Sequence, residues 1–171
     1  MSPPRRGGAV TELDPFTDDL DGPVYVVTVA VGAERAGCLV GFASQCSIDP
    51  PRFIVWLSVA NHTYRVARGA EYLTVHLLRQ DDRALAELFG GETGDRVDKF
   101  AAVGWLPGEA GSPVLAQLPT WFTGRIEGCI EGGDHVGFLL APAAVCRPGD
   151  GPPPPLLRYR ELRNLEPGHP A

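Results

Sequence analysis

Positive charge is scarce in this sequence, which has 15 Lys and Arg residues against 21 Asp and Glu residues. The formal net charge of −6 argues against nucleic acid as a partner, because phosphate binding favours a basic surface. No apolar run approaches the ~20 residues that a membrane-spanning helix needs, so we expect no membrane insertion. The N-terminal residues also lack the apolar core of a secretory signal, and we therefore expect a cytoplasmic protein.

Motifs for metals and for common nucleotide folds are missing as well. The four cysteines have no close Cys-x-x-Cys spacing, which argues against a metal site and favours buried, reduced thiols. They are Cys38, Cys46, Cys129 and Cys146. No Gly-x-Gly-x-x-Gly fingerprint is present, and no convincing pair of nucleophile and base stands out.

The composition is that of one globular domain, with 171 residues of which 44% are hydrophobic and 21% are charged. Residues 1–21 are rich in Pro, Gly, Arg and Asp and are expected to form a flexible N-terminal arm. Near the other end, Pro152–Pro155 predict an extended and stiff connector. We expect a folded domain over residues 22–165 and a tail over residues 166–171.

Short β-type segments dominate the folded part. VYVVTVAV and AGCLVGF flank the turn GAER and predict a hairpin. Further strands are predicted for RFIVWLSV, EYLTVHLL, TWFTGRIEGCI and HVGFLLAPAAVC. In EYLTVHLL, the alternation places His76 on the face that packs against a barrel layer or a helix beneath.

Two short helices are predicted beside the strands. One begins at Asn61 and closes at Gly69, which are residue types typical of helix caps. The other begins at Asp81 or Asp82 and ends in a glycine pair. About six strands with two short helices predict a closed or nearly closed β-barrel.

The stretch GCLVGFASQCSIDPP, residues 37–51, is unusual because small and hydroxyl-bearing residues interrupt an apolar run. Pro50 and Pro51 cannot donate ladder hydrogen bonds, so they should end strand pairing. The next predicted strand ends at Ser58, and a helix start follows with Asn61 and Thr63.

Free backbone N–H groups at that helix start can bind an anion. The hydroxyl-rich stretch and the helix start could therefore hold opposite parts of an elongated, phosphate-bearing ligand. A well-capped helix beside a Ser-rich bend, without any ligand, explains the same residues.

The run GCLVGFASQCSIDPPRFIVWLSVANHTYRVA resembles the flavin reductase-like, FMN-binding split-barrel family. Further agreements are LAELFGG, VDKFAAVGW, GSPVLAQLPTWFTGRIEG, GGDHVGFLLAPAAV and PPLLRYRELRNL. The resemblance covers residues 23–165, and the order and spacing of these pieces carry it. It implies a mainly β fold, namely a split β-barrel of Greek-key type that binds FMN and has a few short helices. It also implies a homodimer.

The resemblance implies positions for a flavin. The isoalloxazine ring would lie against seven consecutive residues: Gly41, Phe42, Ala43, Ser44, Gln45, Cys46 and Ser47. The flavin phosphate would lie at the helix start, near Ser58, Asn61, His62 and Thr63. The pocket would be closed from another side by Phe89, Lys99 and Phe100. Lys99, the only lysine in the chain, could instead be a solvated lysine on a loop.

The segment GGDH is similar to the family segment that borders the reactive face of the flavin. This implies that His135 contacts the nicotinamide and acts in catalysis; the alternative is a turn histidine satisfied by Asp134. Arg158 and Arg160 are candidates for contact with a diphosphate or for a subunit boundary. Leu39 and Phe42 depart from the family pattern at positions that are often polar, so the backbone would supply some ring contacts.

The implied activity is the NAD(P)H-dependent reduction of FMN or FAD, with NADH or NADPH as electron donor. The two cofactors carry the redox chemistry, which fits the lack of a nucleophile. The reduced flavin would go to a partner monooxygenase. A flavin-binding electron carrier without productive nicotinamide turnover is the alternative.

Overall fold

The computed structural model describes residues 11–168, in which antiparallel strands dominate. The strands are β1 (Tyr25–Val31), β2 (Glu34–Val40), β3 (Ala43–Ser47), β4 (Arg52–Ser58), β5 (Tyr72–Leu77), β6 (Trp105–Pro107), β7 (Pro113–Leu115), β8 (Trp121–Glu131) and β9 (His135–Cys146). The α-helices are α1 (Asp14–Thr17), α2 (His62–Ala67) and α3 (Arg83–Gly91). Short 3₁₀ turns are formed by Gln80–Asp82, Lys99–Ala102, Glu109–Gly111 and Tyr159–Leu162.

The main sheet is a split barrel. Its seven strands run in the order β2-β1-β5-β8-β9-β4-β3, and neighbouring strands are antiparallel. The two edge strands, β2 and β3, are consecutive in the chain and are separated only by Gly41 and Phe42. Because β2 also contacts β4, the sheet curls almost into a closed barrel. The barrel stays open between the unpaired edges of β2 and β3, at this bend. The predicted mainly β split barrel with a few short helices is confirmed.

Both faces of β1 are covered, which explains why this strand is apolar on both sides. Val27 and Val29 point into the barrel, whereas Val26 points to an outer core beneath α3 and the C-terminal segment. Alternate side chains of a strand face opposite sides, so a strand covered on both faces needs no polar side. The barrel core also includes Val55, Leu57, Leu73, Val75, Phe138 and Leu140. The outer core also includes Leu78, Phe89, Phe100, Leu118, Leu157 and Leu162.

His76 joins the main sheet to the small β6–β7 hairpin. Its Nδ1 donates to the Val26 carbonyl at 3.0 Å, and its Nε2 accepts from the Leu115 N–H at 3.0 Å. Nearby, the Thr74 hydroxyl lies 2.9 Å from the Ser112 hydroxyl. These groups are buried and paired, so His76 has a structural role beneath the hairpin rather than beneath a helix.

The segment after Pro155 packs along the barrel and holds the N-terminal segment. Leu157 is buried, and its backbone bonds to Val24 and Leu78. Arg158 donates to the Asp21 carbonyl at 2.9 Å, and Arg160 donates to the carbonyls of Asp18 and Asp19 at 3.1 and 2.9 Å. The two arginines considered for a diphosphate therefore contact the N-terminal segment.

Several elements differ from the sequence expectations. The predicted hairpin β1–β2 is present, as are the predicted strands β8 and β9 and both predicted helices. β3, β6 and β7 were not predicted, because β3 is exposed and poor in β-branched residues and the other two are three residues long and contain proline. Gly69 follows α2 but does not adopt the positive φ expected of a capping glycine. Among the described helices, none is both long and apolar enough to cross a membrane.

Candidate functional site

The segment Gly41–Ser47 forms the open edge of the split. Most of its side chains are exposed, with Phe42 at 58%. The Trp56 N–H donates to the Phe42 carbonyl at 2.9 Å, so the backbone groups of Phe42 point toward β4. Because hydrogen-bonding direction alternates along an edge strand, the N–H groups of Ala43 and Gln45 point away from β4. Within the described range no strand covers that side of β3, so these groups are free to bind a ligand.

Two aromatic rings flank the bend between β2 and β3. A Cβ atom on Gly41 would lie 3.4 Å from the Tyr159 ring, so the ring packs closely against the glycine. The Phe42 ring lies 5.2 Å from the His135 ring, measured between centroids. The bend is therefore a shallow surface with a small residue at its centre and aromatic rings at its sides.

His135 lies directly beside this bend. It is the first residue of β9 and pairs with Ser58, the last residue of β4. Its Nδ1 donates to the Asp134 carboxylate at 2.7 Å, and this hydrogen bond lowers the pKa of Asp134. Because Asp134 engages Nδ1, the ring orientation is restrained and Nε2 is the nitrogen available to another partner.

The start of α2 lies on the other side of the Ser58–His135 pair. The Asn61 side chain accepts from the Thr63 N–H at 2.9 Å, which caps the helix as predicted. The Ser58 hydroxyl accepts from the Ala60 N–H at 3.3 Å. Ser58, Asn61 and Thr63 are buried, so the helix start is built into the barrel rather than exposed as a loop.

The thiol of Cys38 lies beneath this helix start. Burial raises the pKa of Cys38, while hydrogen bonds with the side chains of Thr63 and Asn61 act in the opposite direction. The thiol is therefore a buried structural group of β2, as predicted for the cysteines in general. Cys46 and Cys129 are exposed, so for these two the expected burial is wrong.

His62 is turned toward the loop before Lys99. Its Nδ1 lies 3.2 Å from the Asp95 carboxylate, and its Nε2 lies 3.6 Å from the Glu34 carboxylate. Its ring also packs against Gly94, where an added Cβ would lie 2.8 Å away. The structure therefore does not bring His62 together with Ser58, Asn61 and Thr63 around one space.

Phe89, Lys99 and Phe100 lie behind β2, in and around the outer core. The rings of Phe89 and Phe100 are 5.8 Å apart in an edge-to-face arrangement. The Lys99 side chain is only 4% exposed, and Nζ donates to the carbonyls of Gly37 and Phe89 at 3.0 Å each. Burial lowers the pKa of Lys99. The alternative of a solvated lysine is therefore wrong; Lys99 ties β2 to the end of α3, where a cation is favoured.

Sequence reasoning missed Trp56, Ile130 and Tyr159. Trp56 in β4 lies opposite Gly137 in β9, and Gly137 lies opposite Ile130 in β8, so these residues form a row on the outer face that begins with Phe42 at the bend. Added Cβ atoms on Gly132 and Gly137 would lie 2.5 and 3.0 Å from Trp56, so the indole covers both glycines. The alternation of RFIVWLSV was a usable signal, because it separates Ile54 and Trp56 from the residues that face the barrel core.

No ligand set for a metal is formed within the part of the chain that the structure covers, since it holds no group of three or more His, Cys, Asp or Glu side chains placed to bind an ion. The donors at the site are instead backbone N–H groups, hydroxyls, an amide and an imidazole. Such donors, next to small residues, suit a flat heterocycle with a phosphate tail.

Comparison with known proteins agrees with this interpretation. Residues 17–166 match the family model described as flavin reductase like domain. The chain is 31% identical over 142 residues to the NADH:riboflavin 5'-phosphate oxidoreductase of Streptomyces pristinaespiralis, covering 82% of this chain and 79% of that protein. It is 26% identical to the reductase subunit HsaB of a flavin-dependent monooxygenase from Mycobacterium tuberculosis, covering 75% of this chain and 70% of that protein.

A solved structure is also similar. The NADH:FAD oxidoreductase SgcE6 of Streptomyces globisporus C-1027 superimposes with a TM-score of 0.72 at 25% identity, covering 83% of this chain and 88% of that one. Other curated relatives are matched over only part of their length. The region that they share with this chain covers 36% to 66% of each relative.

Proposed function

Because this chain belongs to the flavin reductase like domain family, we propose that it is an NADH-dependent flavin reductase that uses FMN or FAD. One observation carries the proposal. The pairing of Ser58 with His135, together with the contact between His135 and Phe42, brings the bend, the imidazole and the start of α2 next to one another. These three parts match the needs of a flavin ring, a nicotinamide and a phosphate.

The segment Gly41–Ser47 would hold the flavin ring. Its residues fit the group, since the outward N–H groups of Ala43 and Gln45 can donate to the polar edge of the ring. Fixed backbone donors stabilise negative charge that develops on a ring without any need for a titrating residue. The flavin, when bound, supplies the chemistry by accepting a hydride from the nicotinamide.

The phosphate would be bound at the start of α2. Ser58, Asn61 and Thr63 lie within six residues of one another, and their side chains supply hydroxyl and amide groups. In this proposal His62 does not contact the phosphate directly. It holds the loop of Gly94 and Asp95 against the helix, which shapes the rim of the site.

His135 would orient the nicotinamide. Asp134 restrains the ring through Nδ1, which leaves Nε2 to contact the carboxamide or ribose of the electron donor. Hydride transfer requires the two reacting atoms to be held at about 3–3.5 Å, so a residue that orders the nicotinamide raises the rate of reduction. Phe42 limits the freedom of the imidazole from the other side.

The proposal includes a homodimer and a partner monooxygenase, in the cytoplasm. The outer row of Phe42, Trp56 and Ile130 exposes apolar surface at the split, with Phe42 at 58% and Ile130 at 50%. A second copy of the chain would cover that row and enclose the flavin-binding bend. The partner is supported by the naming of a relative as the reductase subunit of a flavin-dependent monooxygenase.

Spectroscopy and turnover test the function together. The purified protein is titrated with FMN and with FAD, and the oxidation of NADH and of NADPH is followed at 340 nm. Rapid NADH oxidation that depends on flavin supports the proposal. Tight flavin binding without turnover would favour the electron carrier, and no binding at high flavin concentration would contradict both.

A further inference from the structure

A cavity of about 290 Å³ lies beside β2, on the far side of the α2 start from the bend. It is formed between β2 and the loop that leads to the 3₁₀ turn Lys99–Ala102. Six of the residues around it carry the argument: Arg35, Gly37, Asp95, Arg96, Asp98 and Lys99.

The cavity presents guanidinium groups that are not neutralised by the protein. Across residues 11–168, the side chains of Arg35 and Arg96 make no hydrogen bond or ion pair, and Arg35 only stacks over the Trp105 ring at 4.7 Å. Of the two nearby carboxylates, only Asp95 is paired with a cation, and Asp98 keeps its negative charge. Asp95 pairs with Arg65 at 2.5 Å, and Asp98 accepts from the Phe100 N–H at 3.0 Å.

One wall of the cavity is rigid. Lys99 donates to the carbonyl of Gly37 in β2 and to that of Phe89 in α3, so strand, helix and loop are fixed to each other at this point. The open side is lined by exposed residues, including Arg96. A fixed wall facing two unpaired guanidinium groups is suited to an anion with several oxygen atoms, because guanidinium binds phosphate in a bidentate manner.

The position of the cavity relates it to the flavin site. Gly37 lies in β2, four residues before Gly41 at the bend, which corresponds to ~13 Å along an extended chain. Between them lies Cys38, which contacts Asn61 and Thr63 at the start of α2. Cys38 faces the barrel core, opposite to the cavity side of Gly37, so the cavity adjoins the helix start through Asp95 of its lining, which lies 3.2 Å from His62.

We propose that this cavity binds the adenosine diphosphate part of a dinucleotide, through Arg35 and Arg96. The inference rests on the proposed function and deepens it. The same chemical group occurs in FAD and in NADH, and either molecule can supply it. The volume of about 290 Å³ lies at the lower end of ligand pockets, which suits part of a nucleotide rather than a whole one.

The variant Arg96→Gln separates the two sources. Arg96 is exposed, so the fold should tolerate the change. If NADH fills the cavity, the KM for NADH rises about 5- to 20-fold, while the KM for reduced nicotinamide mononucleotide, which lacks the adenylate, is unchanged. If FAD fills it, the Kd for FAD rises by the same factor and the Kd for FMN is unchanged.

The matched control is Arg125→Gln, which removes an exposed arginine of β8, three strands away from β2. Its constants should equal those of the wild type. The proposal would be contradicted if Arg96→Gln changed the KM for NADH and for its mononucleotide equally, or the Kd for FAD and for FMN equally. It would also be contradicted if none of these constants changed.

Calorimetric titration with ADP tests the cavity without turnover. Wild-type protein should bind ADP, Arg96→Gln should bind it about 5- to 20-fold more weakly, and Arg125→Gln should match the wild type. Failure of wild-type protein to bind ADP, or equal binding by wild type and Arg96→Gln, would overturn the inference. A protein that binds ADP in this pattern but oxidises no NADH would instead contradict the proposed function.

Discussion

Acidification should destabilise the protein through His76. The imidazole is fully buried, with Nδ1 donating to the Val26 carbonyl and Nε2 accepting from the Leu115 N–H. Both nitrogens are used only if the ring is neutral, because a protonated Nε2 cannot accept. Burial accordingly lowers the pKa of His76 from 6.5 to about 4.

The magnitude follows from linkage between protonation and folding. Between pH 6.5 and about 4 the unfolded chain binds a proton at His76 that the folded protein excludes, so the free energy of unfolding falls as the pH is lowered. One pKa unit corresponds to about 1.36 kcal/mol, so the loss is about 2 kcal/mol at pH 5 and about 3 kcal/mol at pH 4. Above pH 6.5 this contribution is fully retained.

Urea unfolding at a series of pH values measures this effect. The variant His76→Gln keeps a polar side chain but cannot titrate, so its free energy of unfolding should lose less between pH 7 and pH 5 than that of the wild type, by about 2 kcal/mol. The comparison uses the pH dependence of each protein, because the variant has a lower stability at every pH. Equal pH dependence in the two proteins would refute the assignment of a neutral, depressed His76.

Three further predictions concern the site. His135→Ala should slow flavin reduction at least 10-fold while changing the flavin Kd less than 3-fold, because His135 is assigned to the nicotinamide. Stopped-flow reduction and flavin titration measure the two effects. A larger effect on the flavin Kd than on the reduction rate would reject the assignment. Asn61→Ala should raise the flavin Kd about 5-fold, because the helix loses its cap and the phosphate loses a polar partner. An unchanged Kd in fluorescence titration would contradict the placement of the phosphate at this helix start. If the proposed dimer forms through the outer row, Ile130→Asp should convert it to monomer in sedimentation velocity, whereas Val145→Asp on the same hairpin should not. A dimer that survives Ile130→Asp would contradict this placement of the interface.

Local signals in the sequence were sufficient for the elements that frame the site. The β1–β2 hairpin was marked by β-branched runs on either side of a short turn, and α2 by the residue type of Asn61. The helix cap is a contact within three residues, so no knowledge of the tertiary fold was needed. The turn before His135 is likewise a local feature, indicated by two adjacent glycines in GGDH.

Such local signals do not predict contacts between residues that are distant in the sequence. The sequence does not reveal that Lys99 is buried, because its burial depends on the carbonyls of Gly37 and Phe89, 62 and 10 residues away, which accept its hydrogen bonds. β3 was interpreted as a flavin-facing segment rather than as a strand, since its stability depends on pairing with β4 and not on its own residue types. The outer row was missed for the same reason, because Phe42, Trp56 and Ile130 meet only in the sheet.

The two departures from the family pattern have structural partners in this chain. Leu39 packs with Leu165 over Gly90, where an added Cβ would lie 2.8 Å from both side chains, so Leu39 belongs to the outer core. Phe42 lies against His135. Both side chains are hydrocarbons and cannot donate a hydrogen bond to a flavin ring. If the ring binds at the bend, its polar contacts must come from the backbone of the edge strand, chiefly Ala43 and Gln45. Side-chain substitutions along β3 should then weaken flavin binding far less than a change that breaks the pairing of β3 with β4.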